Sequence, residues 1–242
     1  MSCRYISIRL DESEHVIGAA IRAGVDKVVM TSSEAACYPD KKETNPKVTE
    51  DYWTDLSNKA ITNYMRSKAI AERTAWDLIA SQRTTRLTTI LPGAILGPYM
   101  NGKHSSTDQI IEMLLKGTPS PRVIYPIVDV RDLAALHIAA LENTNADGER
   151  FMAESEEMTM PQMAALLKNA YPDRKVSRMV IPYFVISIMA RFQPQMKVLN
   201  TMIGLRYHRD NSKARCLLGW HPRSAKDTVL DTARYMMDDK VM

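Results

Sequence analysis

The spacing of apolar positions changes several times along the chain, and each change marks an element. Between residues 11 and 23, Val16, Ile17, Ala20 and Ile21 recur at the intervals that line one face of a helix, and Gly24 follows as a stop. Val25-Asp26-Lys27-Val28-Val29-Met30-Thr31 then crowds β-branched and apolar residues together without alternation, which predicts a strand covered on both faces of a parallel sheet. A polar segment with Pro39, Asn45 and Pro46 leads to a helix from about Lys59 to Ser81, and Arg86 to Leu91 reads as a second buried strand. Strand, helix, strand is a βαβ unit. The run Pro92-Gly93-Ala94-Ile95-Leu96-Gly97-Pro98 breaks the second strand at its carboxyl end. A helix near Asp108 to Lys116, a strand near Val123 to Val128 and a helix from Val130 to Leu141 continue the alternation. After Phe151-Met152-Ala153 the pattern turns helical and irregular, with clustered methionines and closely spaced prolines, so a smaller lobe is expected to begin there. The chain has no internal repeat and no low-complexity tract.

The alternation predicts an α/β fold around a parallel sheet. A chain of 242 residues accommodates one domain, or one domain and a small lobe. The 32 basic and 28 acidic residues are interspersed and leave a net charge of +4, and the basic patches Lys41-Lys42 and Arg206 to Arg209 lack interleaved aromatics. Nucleic acid is therefore not an expected partner. Cys3, Cys37 and Cys216 are odd in number and lack metal-ligand spacing, so neither a disulfide framework nor a metal site is expected. Residues 1 to 5 show no apolar core of a secretory signal, and a reducing, cytoplasmic setting is expected. Val180 to Phe192, the longest apolar stretch, is interrupted by Pro182 and Arg191 and falls short of the roughly twenty residues that span a bilayer. It reads as a core or pocket-lining helix, and no membrane is expected as a partner.

Candidate chemistry gathers at the carboxyl end of the first strand. Ligands of open parallel sheets bind at the carboxyl ends of strands, which is where Ser32 and Ser33 fall. In the helix after Lys59, the residues Ile61, Tyr64, Lys68, Ala71, Ala75 and Leu78 share a face. Lys68 lies one turn beyond Tyr64, and a cation beside a phenol favours the phenolate, suiting Tyr64 to give and take a proton. Ser33 is placed to hold the substrate oxygen. Taken alone, this pair would read as a core tyrosine with a snorkelling lysine; the strand-end serines change that reading. His137 shares its face with Leu133, Ala134 and Leu141 and reads as a core histidine. No G-x-S-x-G elbow supports a hydrolase. Met158, Met160, Met163, Met236 and Met237 read as core filler. Asp129, Arg131 and Asp132 read as a helix cap and charge pairs.

In this order and spacing the motifs resemble the extended short-chain dehydrogenase/reductase, or NAD-dependent epimerase/dehydratase, superfamily. The likeness is greatest to its dihydroflavonol 4-reductase, cinnamoyl-CoA reductase and aldehyde reductase-like group. The matching pieces are Ala23-Gly24-Val25 into Val29 to Ser33, Thr49 to Asp55, Tyr64 to Lys68 with Ala71-Glu72, and Leu91 to Pro98. Further along they are Val128 to Leu133 with His137, Gly148 to Phe151, and Leu218 to Pro222. The resemblance implies an incomplete Rossmann-type doubly wound parallel sheet with a smaller, mostly helical C-terminal substrate lobe. Residues 1–150 would form the Rossmann-type part with its catalytic helix, and 151–242 mainly the lobe, with part of 99–125 contributing. It implies reduction of an aldehyde or ketone, dihydroflavonol-like or smaller, to an alcohol. Ser33 would polarise the carbonyl, Tyr64 would protonate the developing alkoxide, and Lys68 would hold the nicotinamide ribose. Tyr64, Lys68, Pro92, Gly93 and Ile95 would form the cofactor-binding set for NADP, with NAD as the alternative. The loop from Tyr99 to Ser106 would help shape the pocket, and a homodimer through the Tyr64 helix is implied.

One family feature is missing. The G-x-G-x-x-G turn that holds the pyrophosphate has no counterpart among the nine glycines. The chain is therefore expected to be an incomplete or truncated reductase, impaired in cofactor binding. The alternatives are a non-catalytic remnant acting through protein contacts at its sheet edge, or a sugar-nucleotide epimerase or dehydratase. The tryptophan-bearing segment after Thr49 and the Val128 to His137 run favour the reductase.

Overall fold

The computed structural model describes residues 13–39, 46–99, 105, 107–192, 203 and 207–238. In chain order the elements are helix α1 (residues 13–22), β1 (Lys27–Thr31), β2 (Lys47–Val48), α2 (Asn63–Ala80), β3 (Arg86–Pro92), β4 (Ala94–Leu96) and α3 (Asp108–Leu115). They continue with β5 (Ser120–Pro121), β6 (Ile124–Asp129), α4 (Val130–Glu142), β7 (Arg150–Ala153), β8 (Glu156–Thr159), α5 (Met160–Ala170) and β9 (Val180–Ile181). The last are α6 (Tyr183–Met189), β10 (His208–Arg209), α7 (Ser212–Leu218) and α8 (Ala225–Asp238). Cys3, Lys41, Lys42, Arg206 and most of the Tyr99 to Ser106 loop lie outside the described residues.

The chain forms two compact units. The first takes the described parts of Met1–Pro92, Ala134–Ala153 and Arg206–His221, and the second those of Gly93–Leu133, Glu154–Leu205 and Pro222–Met242. In the first unit β1, β3 and β7 make a parallel sheet in that order, with Lys27 opposite Arg86 and Thr89 opposite Arg150. Its helix α1 stops at Gly24, whose φ of 67° is the left-handed conformation open to glycine, and the Val25 N–H closes the end on the Ala20 carbonyl. Ile17, Ala75 and Leu87 pack together on one side of this unit, and Ala36, Cys37, Val48, Ala69, Leu91 and Met152 form another cluster. A short parallel pairing of β10 with β2 completes it.

The second unit pairs β4 with β6 in parallel and β6 with β8 antiparallel. Its core joins Leu96, Ile111, Ile127, Met163, Leu167 and Val229, with α3, α5 and α8 supplying most of the cover. Thr159 and Gln162 cap α5 reciprocally. Met160, Met163 and Met236 are buried there, as core filler should be, and the Asp129 carboxylate accepts the Arg131 backbone N–H at 2.9 Å while pairing with its guanidinium. Burial works to raise the Asp129 carboxyl, but the Arg131 bonds and charge, with Arg223, outweigh it and hold it below the usual carboxylate range.

Several expectations are corrected. β1 is half-buried rather than covered on both faces, and among the described residues it pairs with β3 alone. Helix α2 begins at Asn63, four residues later than expected, because Asp55 and Asn58 turn onto the Ser57 and Ala60 backbone N–H groups and leave Thr62 to cap. Ile61 therefore lies before the helix. The break at Pro92 lasts one residue: the strand resumes as β4 in the other sheet. The irregular stretch after Ala153 opens with a strand, β8, whose polar residues Glu156 and Glu157 hide it from a pattern search. In α4 the buried positions are Leu133, Leu136 and Ala140, while Leu141 is exposed and His137 sits half-buried with its Nε2 2.7 Å from Thr31 Oγ1. The Val180 to Phe192 stretch buries only Ile186 and Ala190, since a short helix apolar all round presents one side at most to its core.

Candidate active site

Within the first unit, two elements bring chemistry together. Beyond β1 the backbone stays extended, and the Ser32 N–H continues the ladder to the Ile90 carbonyl at 2.7 Å. Ser33, with φ −167° and ψ 150°, then caps a short 3-10 turn, Glu34–Cys37, by accepting the Ala35 N–H at 3.2 Å. From the other side comes α2, which Thr62 opens by accepting the Met65 N–H at 3.2 Å. Tyr64 therefore stands in the first helical turn, 46% exposed, and its hydroxyl donates to Ser33 Oγ at 3.4 Å. Lys68 follows one turn later, half-buried. Pro92 closes β3 in the first unit, while Gly93 and Ile95 open the second, both half-buried.

The two adjacent serines differ in what they have left to offer. A hydroxyl has one hydrogen and two acceptor lone pairs. Ser33 Oγ accepts twice, from Ala35 and Tyr64, so its own hydrogen is left for a third oxygen. Ser32, 3% exposed, donates its hydrogen to Glu72 Oε2 at 2.6 Å. A ligand oxygen arriving beside Tyr64 therefore finds a donor in Ser33 and none in Ser32.

Glu72 has no assigned role in the sequence reading. It is fully buried in α2 and pairs with the nearly buried Arg150 of β7, Nε to Oε1, at 2.8 Å. Arg150 also donates to the Glu50 and Tyr52 carbonyls, and its guanidinium lies 3.7 Å from the Trp53 ring centroid. The signal available in the sequence was a carboxylate one turn past Lys68 among core positions; its partner, 78 residues away, has no local spacing to reveal it. A second buried pair, Arg209 with Glu34 at 2.7 Å, flanks the 3-10 turn. Near it, burial pushes the Tyr38 and Tyr207 phenols well above their ordinary range, with Arg209 pulling the other way. Among the described residues, no cluster of His, Cys, Asp or Glu is arranged to hold a metal ion, and no helix is long and apolar enough to cross a membrane.

A parallel sheet feeding a strand-end serine toward a Y-x-x-x-K helix defines a class, and comparison with known proteins agrees. The chain belongs to the NAD dependent epimerase/dehydratase family, whose model matches residues 3–153. Among curated proteins it is similar to the NADPH-dependent methylglyoxal reductase GRE2 of Saccharomyces cerevisiae, 27% identical over 241 residues, covering 92% of this chain and 67% of the relative. It is similar also to cinnamoyl-CoA reductase 1 of Arabidopsis thaliana, 32% identical over 148 residues, covering 59% of this chain and 43% of that protein. Among solved structures, Gre2 of Candida albicans in complex with NADPH superposes with a TM-score of 0.78 at 29% identity, covering 95% of this chain and 70% of that one. The fold is thus an α/β fold of Rossmann type, and the chain spans only part of the length of these relatives.

Proposed function

We propose that this chain carries the catalytic part of an NADPH-dependent reductase that converts an aldehyde or ketone to an alcohol. The observation that supports it most directly is the Tyr64 hydroxyl 3.4 Å from a Ser33 that still has a hydrogen to give. Ser33 donates to the carbonyl oxygen and draws charge onto it. Tyr64 gives its proton to the same oxygen as the alkoxide develops, and its exposure lets solvent return that proton afterwards. Lys68 holds the ribose hydroxyls and supplies the positive charge beside the phenol.

The nicotinamide, when bound, supplies the hydride to the carbonyl carbon. Residues of the first unit fit that end of the cofactor: Pro92 ends β3 at its carboxyl end, and Tyr64 and Lys68 stand on the helix α2. No G-x-G-x-x-G within these 242 residues provides for the pyrophosphate. Residues 151–242, with part of 99–125, are proposed to shape the substrate side.

The test is a titration of the folded chain with NADPH and NADH, followed by nicotinamide oxidation against a panel of small aldehydes and ketones. Saturable NADPH binding with turnover that vanishes in Tyr64→Phe is the expected result. A folded chain that binds neither nucleotide and reduces nothing overturns the reading.

A further inference from the structure

Glu72 gathers five donors onto one carboxylate. Thr89 Oγ1 donates to Oε1 at 2.7 Å, Arg150 Nε at 2.8 Å and Trp76 Nε1 at 3.4 Å, while Oε2 takes Ser32 Oγ at 2.6 Å and Arg150 Nη2 at 3.2 Å. A carboxylate offers about four lone-pair directions, so this one is saturated and has no room to take a ligand. What it does instead is join elements. It sits two turns beyond Tyr64 on α2 and ties that helix to the end of β1 through Ser32, to β3 through Thr89 and to β7 through Arg150.

We propose that Glu72 is a positioning residue for the Ser33 and Tyr64 pair. Ser32 and Ser33 are consecutive, and both hydroxyls meet the same helix, Ser32 at Glu72 and Ser33 at Tyr64. Anchoring the Ser32 hydroxyl on Glu72 therefore fixes the strand end one residue away from the hydroxyl that meets the phenol. One carboxylate thus sets both the rotation of the strand end and the seat of the helix, and with them the distance between the two hydroxyls. This deepens the proposed reductase reading and, for its catalytic meaning, rests on it.

The test breaks the tether without disturbing the buried ion pair. In Ser32→Ala, Glu72 keeps Arg150, Thr89 and Trp76, so the chain is expected to fold with its thermal midpoint little changed. Carbonyl turnover should fall about tenfold in kcat with KM and NADPH affinity within about twofold, since the groups remain but their alignment loosens. A readout that needs no turnover accompanies it. With tyrosine labelled at 13Cζ, the Tyr64 resonance, assigned by its loss in Tyr64→Phe, should move in Ser32→Ala while other tyrosine resonances stay. The double variant Glu72→Gln with Arg150→Met, which leaves no unpaired buried cation, should move the same resonance. A Tyr64 resonance unmoved in folded Ser32→Ala refutes the proposal, as does a loss of turnover that only tracks loss of folded protein. If the wild-type chain is folded and inactive, the reductase reading fails while the resonance still decides the positioning one.

Discussion

Removing the Glu72 charge should be among the most damaging single changes in the first unit. In Glu72→Gln the Arg150 guanidinium, with 9% of its side chain exposed, loses its counter-charge. A lone buried cation of this kind costs about 3–5 kcal/mol. The amide also turns N–H groups toward donors, because Thr89, Trp76 and Arg150 all address the Oε1 side, so at least one of them loses its acceptor. Against a total stability of roughly 5–15 kcal/mol for a domain, that is a large fraction. Arg150→Met should cost a similar amount for the mirror reason, leaving a buried carboxylate with only the neutral donors Ser32, Thr89 and Trp76. The double variant removes both charges and leaves smaller debts: the Glu50 and Tyr52 carbonyls lose a donor, at about 1 kcal/mol each. The double change is therefore expected to cost less than the sum of the two single ones by about 3 kcal/mol. Urea unfolding followed by far-UV circular dichroism gives the three differences, and the double-mutant cycle gives the coupling. Single variants that each lose under about 1 kcal/mol, or costs that simply add, would refute the reasoning, because either result means the pair is solvated in the folded chain.

Two further changes probe other parts of the chain. Gly117 has φ +87° and an added Cβ would run into the Lys175 carbonyl oxygen, so Gly117→Ala should destabilise the second unit by about 1–3 kcal/mol, read as a lowered thermal midpoint; an unchanged midpoint would show that this loop gives way freely. Asp210 is pulled down from 3.8 to about 2 by the Lys47 ion pair first and then by the Ser212 hydroxyl and backbone N–H. A depressed carboxyl stabilises the fold above its ordinary value and loses that contribution as pH falls through the folded one. Because Lys47 is exposed, the contribution is about 1 kcal/mol or less. The stability gap between wild type and Asp210→Asn should therefore be open at about pH 6 and close between about pH 4 and pH 2. A gap that widens on acidification would contradict the assigned cause.

Much of the first unit was legible because its signals are local. The stop at Gly24, the strand running to Thr31, the helix carrying Tyr64 and Lys68 and the strand ending at Pro92 each declare themselves within a dozen residues, and Ser33 meets Tyr64 where those elements point. What escaped depends on partners remote in sequence. Nothing near Val28 or Val29 says that their strand will be only half-buried. Ala94–Leu96 is too short to show a period, and β8 becomes a strand only because β6 lies beside it. Which of the Ser32 and Ser33 hydroxyls is taken up inside the protein could not be read from their neighbours either. It depends on a hydroxyl finding Glu72, which was itself legible only as a polar residue in an apolar stripe.

The parallel sheet of the first unit also sets a schedule. Its three described strands are separated by long crossovers, and such non-local pairings form late because the intervening chain must be closed into loops first. During synthesis at roughly 5–20 residues per second, β1, α2 and β3 leave the ribosome well before β7. Glu72 must therefore wait for Arg150, 78 residues behind it, before its carboxylate can be taken into the interior. The helix that bears Tyr64 cannot settle earlier, and Glu34 must wait longer still for Arg209. Until then the apolar faces of α2 and β3 stand open, so the chain's dependence on chaperones should be concentrated in the interval between the emergence of Ala80 and that of Arg209.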